Sequence, residues 1–196
     1  MAESRLYAIV GLGNPGAEYD RTRHNAGFWF VDALAAAYRG SFRTEAKFFA
    51  EVARVRIGNS DVLLVKPSTF MNRSGQAIQA LAAFYKLDPA DILVVHDEMD
   101  LPVGAMRLKL AGGHGGHNGL RSVHQHIGEG YRRLRVGIGH PGSKELVLGY
   151  VLGRASVADD KLIHQGIANA AAAIPVWLEQ SWDKAMQQLH SAQLAN

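Results

Sequence analysis

Three short apolar runs, at positions 6–12, 62–65 and 92–95, constrain this chain more than any other feature. Each is too short for a packed helix and lacks the polar and apolar alternation of a strand with one wet face, so each reads as a buried strand. A sheet of such strands needs helices over both faces, and the intervening segments supply them. Residues 25–38 carry apolar side chains around most of a helical surface, and residues 74–87 place Ile78, Leu81, Ala82 and Tyr85 at helical spacing. Residues 50–57 alternate, with Val52, Val55 and Ile57 set among Arg54 and Arg56, and the turn-forming Gly58-Asn59-Ser60 joins them to the run at 62–65 as a hairpin. Residues 106–110 and 134–138 complete the strands, and residues 120–127 form a short helix. The alanine-rich stretch 157–189 is helical, with Pro175 expected to break or kink it. The expected fold is α/β: a single-domain three-layer sandwich over residues 1–196, with a mixed central β-sheet and helices on both faces. A chain of 196 residues fits one domain at the usual roughly 100–200 residues per domain.

Composition closes several routes. With no cysteine, the chain has no disulfide, no thiolate zinc site and no cysteine nucleophile. No apolar stretch approaches the ~20 residues that span a bilayer, and the N-terminus shows no charged segment followed by an apolar run of signal-peptide length. A cytoplasmic location is the expectation. A net charge of +3 permits a nucleic-acid partner without demanding one.

Gly11-Leu12-Gly13-Asn14-Pro15-Gly16 follows the first strand and fits the dinucleotide-binding pattern G-x-G-x-x-G. That site needs a helix starting inside the glycine turn, whereas residues 17–24 are polar and the apolar helix begins only near Asn25, so the nucleotide reading fails on context. Nine histidines invite a metal reading, above all His114-x-x-His117 and His124-x-His126. Neither spacing is the i, i+4 pair of a helical zinc site, and the glycines around the first give little support for orienting a ligand. No G-x-S-x-G occurs, and Ser68, Ser74 and Ser143 lie in no nucleophile elbow. Phe28, Trp29, Phe30, Trp177 and Trp182 lie inside apolar helices and read as packing residues rather than base-stacking platforms.

What remains is a loop, shaped by glycine and Pro15, that presents Asn14, Tyr19 and His24. By itself it fits a plain turn as well as a site. In open α/β sheets, however, ligands collect beyond the carboxyl ends of strands, and those ends here carry Asn14, Asp97 and, past residues 106–110, Asn118. An aspartate that accepts the Nδ1 proton of a histidine fixes its tautomer, raises its basicity and leaves Nε2 free to take a proton from water. His24 and Asp97 are therefore a candidate base and partner. Glu98 and Asp100 compete for the partner's role, and Asp97 also fits a capping or salt-bridged carboxylate.

Together these segments resemble a known family, the bacterial-type peptidyl-tRNA hydrolases, over nearly the whole chain. The resemblance is carried by residues 10–19 (VGLGNPGAEY) with 22–27 (TRHNAG), residues 66–72 (KPSTFMN) with Ser74-Gly75, residues 96–102 (HDEMDLP), residues 112–120 (GGHGGHNGL) and residues 135–142 (RVGIGHPG). It implies that His24 is the general base and Asp97 its partner, and that Asn14, Asn72 and Asn118 grip the peptide and the terminal ribose. It further implies that Tyr19, Phe70 and Met71 line the same cleft and that Lys109 and Arg135 contact the tRNA end, with Arg132 and Arg133 as neighbours able to share that work. No cofactor and no metal are implied, and the expected state is a monomer.

The implied substrate is an ester between a peptide and the 3′-terminal ribose of tRNA. Its alkoxide leaves far more readily than an amine, so water activated by His24 can attack without a covalent intermediate, a contribution of about 10²–10⁴-fold. The amides of Asn72 and Asn118 offer NH₂ donors to the ester or its oxyanion. The carbonyl and NH₂ of Asn14 are suited to read the C-terminal residue's amide, and so to spare aminoacyl-tRNA. Sequence-blind tRNA binding needs phosphate contacts more than base readout. Two competing readings remain: an RNA-binding protein without turnover, and a metal-dependent amidohydrolase built on the histidine-rich loop.

Overall fold

In the computed structural model, which describes residues 5–194, the apolar runs become neighbouring strands of one seven-stranded sheet. The strands are β1 (Leu6–Gly11), β2 (Arg43–Glu45), β3 (Ala50–Ile57), β4 (Ser60–Pro67), β5 (Ile92–Glu98), β6 (Met106–Leu110) and β7 (Arg132–Gly137), in the spatial order β2-β3-β4-β1-β5-β7-β6. The pairs β4-β1, β1-β5 and β5-β7 are parallel, and β2-β3, β3-β4 and β6-β7 are antiparallel. The sheet is thus mixed, as expected.

Six helices flank it: α1 (Ala26–Ala37), α2 (Ser74–Tyr85), α3 (Asn118–Ile127), α4 (Val147–Val151), α5 (Val157–Glu179) and α6 (Trp182–Leu194). Consecutive side chains of a strand point to opposite faces, and the central strands use both. Ile9, Leu64, Leu93 and Val95 are buried with Phe30 and Leu34 of α1 and Ile167 and Ile174 of α5. Ala8, Val10, Leu63, Val65 and Val94 are buried with Ile78 and Leu81 of α2 and Val123 of α3. Three layers follow from continuous apolar runs, because neither sheet face can be left to water.

The glycines after the first run serve this packing. A Cβ on Gly11 would lie 2.2 Å from the carbonyl oxygen of Gly27, and one on Gly27 would lie 2.4 Å from the carbonyl oxygen of Val95. Helix α1 therefore lies directly on the ends of β1 and β5, and Gly11 is a contact point rather than a pyrophosphate loop. Of the break or kink expected at Pro175, the break does not occur: α5 continues through it to Glu179. A proline in a helix interior costs about 3 kcal/mol or more, but Ala173, Ile174 and Trp177 around it are all buried against the sheet, and that burial holds the helix together. Two elements were not expected from the sequence, the three-residue edge strand β2, which is polar throughout, and the single-turn α4, whose apolar residues are too few to show a helical period.

Candidate active site

The parallel pairing of β1 with β5 brings their carboxyl ends side by side. Past the end of β1, the loop descends through Asn14 and Tyr19 to a single helical turn, Arg23–Asn25, that leads into α1. His24 on that turn meets Asp97 near the end of β5: Nδ1 lies 2.9 Å from Oδ2 and 3.0 Å from Oδ1. Topology thus closes a gap of 73 positions, and Asp97, not Glu98 or Asp100, makes the contact. Glu98 instead accepts from Arg135 Nε at 2.9 Å. His24 Nε2 has no hydrogen-bond partner among the described residues, and His24 lines a cavity of about 340 Å³ with Asp97 and Asn118.

Asp97 has a second histidine. His117 Nε2 lies 2.8 Å from Asp97 Oδ1, while His117 Nδ1 accepts from the backbone N–H groups of Gly119 and Leu120 at 3.1 and 3.3 Å, capping α3. A nitrogen that accepts from two amides carries a lone pair, so the proton of His117 is on Nε2 and is donated to Asp97. Burial pushes the Asp97 carboxyl up, but the two imidazoles beside it hold it well below the usual carboxylate range. Burial works to lower His24, yet the charge and hydrogen bond of Asp97 prevail and its pKa is raised above the ordinary histidine value. His96, fully buried beside them, is pushed down to about 3 by burial and by His117. It is a neutral ring whose Nδ1 donates to the Asp97 carbonyl at 2.9 Å.

Asn14 is buried and oriented by the protein. Its Oδ1 accepts from the Met71 N–H at 2.8 Å, and its backbone is held by Asn25, whose Oδ1 accepts from Asn14 N at 2.8 Å and whose Nδ2 donates to Asn14 O at 3.0 Å. The amide oxygen expected to read a substrate N–H already accepts one bond, while Nδ2 makes none among the described residues and is the freer group to offer. Met71 acts through that backbone amide. Its side chain is buried, and its sulfur fills the space a Cβ on Gly119 would need.

The remaining predicted residues lie on neighbouring hollows. Asn14 lines one that contains Phe28, Trp29 and Asp32, and exposed Phe70 and Asn72 line another with Ser68 and Arg73. Tyr19 meets Phe70 edge to face at 6.3 Å between ring centres. Phe30, Trp177 and Trp182 are core residues, but Phe28 and Trp29 border the hollow beside Asn14.

Basic residues gather on a different part of the sheet. Antiparallel partners share a face, and Lys109 pairs with Arg133 while Arg107 pairs with Arg135. Because β6 runs opposite to β7, its carboxyl end points away from His24, and Asn118 reaches the site only because the glycine loop after β6 runs back. Arg133 turns inward: it is buried, donates to the carbonyl oxygens of Gly112 and Gly113, and approaches His124 Nε2 at 3.0 Å. Arg132 lies over the rings of Trp177 and Trp182 on the other face. Arg133 is thus withdrawn from solvent and Arg132 lies on the other face, whereas exposed Arg107 shares its face with Lys109 and Arg135.

His24, Asp97 and His117 are close enough to be tested as metal ligands. The set fits poorly: the His117 nitrogen nearest Asp97 carries a proton, and its lone-pair nitrogen caps α3. A metal at this point would have to break both contacts.

The family model for peptidyl-tRNA hydrolase matches residues 8–196. This chain belongs to the peptidyl-tRNA hydrolase family. Peptidyl-tRNA hydrolases of Neisseria meningitidis and Neisseria gonorrhoeae are 55% and 54% identical to it over 184 residues, which is 93% of this chain and 96% of theirs. The crystal structure of peptidyl-tRNA hydrolase from Acinetobacter baumannii matches it with a TM-score of 0.92 at 47% identity, over 96% of either chain. Within the peptidyl-tRNA hydrolase fold, sequence reasoning missed His117 and Asn25 as the partners of Asp97 and Asn14, and Arg107 as the neighbour of Lys109 and Arg135 on one sheet face. His117 and Asn25 lay inside quoted motifs, but their partners are fixed by tertiary contacts, and Arg107 is marked only by its two-residue spacing from Lys109.

Proposed function

We propose that this chain hydrolyses the ester linking a peptide to the 3′-terminal ribose of tRNA, releasing the peptide and free tRNA, with His24 as general base. What carries the reading is the bond between His24 Nδ1 and Asp97 at 2.9 Å in a chain of this family, which leaves Nε2 free on a cavity wall. The Nδ1 proton goes to Asp97, so Nε2 holds a lone pair and takes a proton from water as that water attacks the ester carbonyl. The imidazolium formed is stabilised by the Asp97 carboxylate, and the same proton is available to the departing ribose oxygen. Asp97 is held in turn by His117, so the acceptor does not swing away during the cycle.

Asn118 lines the same cavity and supplies an NH₂ donor near the developing oxyanion. Asn14, with its oxygen engaged by Met71, offers Nδ2 to a carbonyl of the peptide, and Asn72, Tyr19 and Phe70 serve the ribose and flanking groups. Lys109, Arg107 and Arg135 face the tRNA phosphates, Arg135 while shared with Glu98. Neither metal nor cofactor has a part in the reaction, and the protein acts as a cytoplasmic monomer. No helix among the described residues is long and apolar enough to cross a membrane.

The test is release of N-acetyl-aminoacyl groups from tRNA in EDTA, beside unblocked aminoacyl-tRNA, by the native chain and His24→Ala. Turnover restricted to the blocked substrate and lost in the variant is expected. Full activity in His24→Ala overturns the base, and inhibition by EDTA that added metal reverses overturns the metal-free reaction.

A further inference from the structure

The cavity that holds His24 has two unlike walls. Asp97, His117 and Asn118, with the charged Glu98 and Lys144, supply its polar lining, and Met99, Val147, Leu148 and Val151 supply the apolar one. Leu148 is 70% exposed and its neighbours Leu146 and Leu152 are exposed as well. Three uncovered leucines within seven residues of a single-turn helix and its flanks are more apolar surface than the packing of α4 requires. On Leu148 that surface faces the reacting centre.

Helix α4 is also tied to the base. The Arg23 guanidinium donates to the Tyr150 carbonyl at 2.8 Å and lies 3.9 Å from the centre of the Tyr150 ring. The Arg23 N–H donates to Gly153 O at 3.0 Å, and Thr22 pairs with Arg154. Arg23 precedes His24 in the same helical turn, so the apolar wall and the catalytic ring are positioned by one piece of backbone.

Resting on the ester-hydrolase reading above, we infer that the wall of Met99, Val147, Leu148 and Val151 receives the side chain of the esterified residue and makes the enzyme favour apolar C-terminal residues. The carbonyl under attack bears the ribose oxygen on one side and the Cα of that residue on the other. The ribose and the peptide amide are hydrogen-bonding groups, matched by Asn72, Asn118 and Asn14. The side chain on Cα is the remaining group within two bonds of the carbonyl, and it alone gains from an apolar wall at this distance from His24. Differences of one or a few methylenes in such a pocket are worth roughly 10- to 200-fold in discrimination, so a preference of about tenfold for leucyl over glycyl or aspartyl esters is expected.

The decisive experiment compares kcat/KM for N-acetyl-leucyl-, N-acetyl-glycyl- and N-acetyl-aspartyl-tRNA with the native chain, Leu148→Ala and Val151→Ala. The variants should lose about tenfold more on the leucyl ester than on the glycyl one, which flattens the native order. Equal losses on all three substrates would mean that the wall holds the terminal nucleoside they share, and would overturn the inference, as would a native enzyme indifferent to the side chain. A second measurement does not depend on turnover: methyl NMR signals of Val147, Leu148 and Val151 should shift with N-acetyl-leucine at concentrations where N-acetyl-glycine has no effect. If the native chain cleaves no ester, the hydrolase reading fails, and the methyl shifts still decide whether the wall takes an apolar acyl side chain.

Discussion

Substituting Asp97 by asparagine changes one atom and should disable the base through a tautomer conflict. Asp97 accepts two imidazole protons, from His24 Nδ1 and His117 Nε2. Asparagine has one acceptor oxygen and one NH₂ donor; with the oxygen on the His117 side it still lies 3.0 Å from His24 Nδ1, but the NH₂ then stands 2.9 Å from that nitrogen, donor facing donor. His117 cannot yield, because its Nδ1 accepts from Gly119 and Leu120 and its proton is therefore fixed on Nε2. The asparagine oxygen goes to His117, its NH₂ faces His24, and His24 must accept on Nδ1 and carry its proton on Nε2, where it is no longer a base. The loss should approach the whole general-base contribution, about 10²–10⁴ in kcat, or roughly 3–5 kcal/mol of transition-state stabilisation. KM should change little, since neither ring is assigned to binding. The mechanism is separable from simple loss of charge by adding His117→Ser, which keeps a capping oxygen for α3 and removes the competing donor. In that background the oxygen of the introduced asparagine is free to turn to His24, and Asp97→Asn should cost only about tenfold. Single-turnover rates on N-acetyl-aminoacyl-tRNA complete the double-mutant cycle. Equal costs of Asp97→Asn in both backgrounds would refute the reasoning.

Other expectations follow from the same contacts. Because the pKa of His24 is raised, the acid limb of kcat/KM should lie above the ordinary histidine value, with activity rising as His24 deprotonates; in the Asp97→Asn, His117→Ser protein only burial remains and the limb should move to lower pH. A limb in the native enzyme below the ordinary value would contradict this. Gly27→Ala places a Cβ 2.4 Å from Val95 O and 2.5 Å from Leu12 N, both backbone atoms, and should cost about 3 kcal/mol or more in urea unfolding; an unchanged midpoint would show that α1 does not rest on the β1 and β5 ends as described. Arg133→Gln frees the Gly112 and Gly113 carbonyls and should lower kcat about tenfold with little change in the salt dependence of KM, and Arg133→Lys should restore part of it. Arg107→Gln, on an exposed side chain, should instead raise KM and flatten its dependence on salt by about one phosphate contact.

Much of the fold was legible because it rests on local chemistry. Continuous apolar runs at positions 6–12, 62–65 and 92–95 require cover on both faces, and that fixes three layers before any contact is known. What the sequence could not carry is strand order and direction. His24 and Asp97 lie 73 positions apart and meet only because β1 pairs directly with β5, a choice that hydrophobic pattern leaves open. The antiparallel return of β6 is likewise silent in sequence, yet it decides that Lys109 looks away from the base while the glycine loop carries His117 back to it. Pro175 is a related case, since local propensity predicts a break or kink and burial of Ile174 and Trp177 carries the helix past it without a break.

The same distinction explains why residue identities were easier to find than their roles. Asn14, Asp97 and His117 are conspicuous as polar residues at strand ends and in a glycine loop, but each has two hydrogen-bonding ends, and its function depends on which end the fold consumes. The Met71 amide engages the oxygen of Asn14 and leaves a donor, and the first turn of α3 engages Nδ1 of His117 and leaves a donor aimed at Asp97. In both cases a backbone amide, which carries no sequence signature, sets the polarity of a side chain in the site. It follows that Asn14→Asp, which keeps the acceptor for Met71 but replaces the outward NH₂ with a charged oxygen, should be more damaging than its small change in shape suggests. It should weaken binding of N-blocked substrates by at least about tenfold, as expected when a hydrogen bond of roughly 0.5–1.5 kcal/mol is lost and the facing carbonyl meets an acceptor instead. A variant that bound blocked substrates normally would show that Asn14 Nδ2 does not contact the peptide.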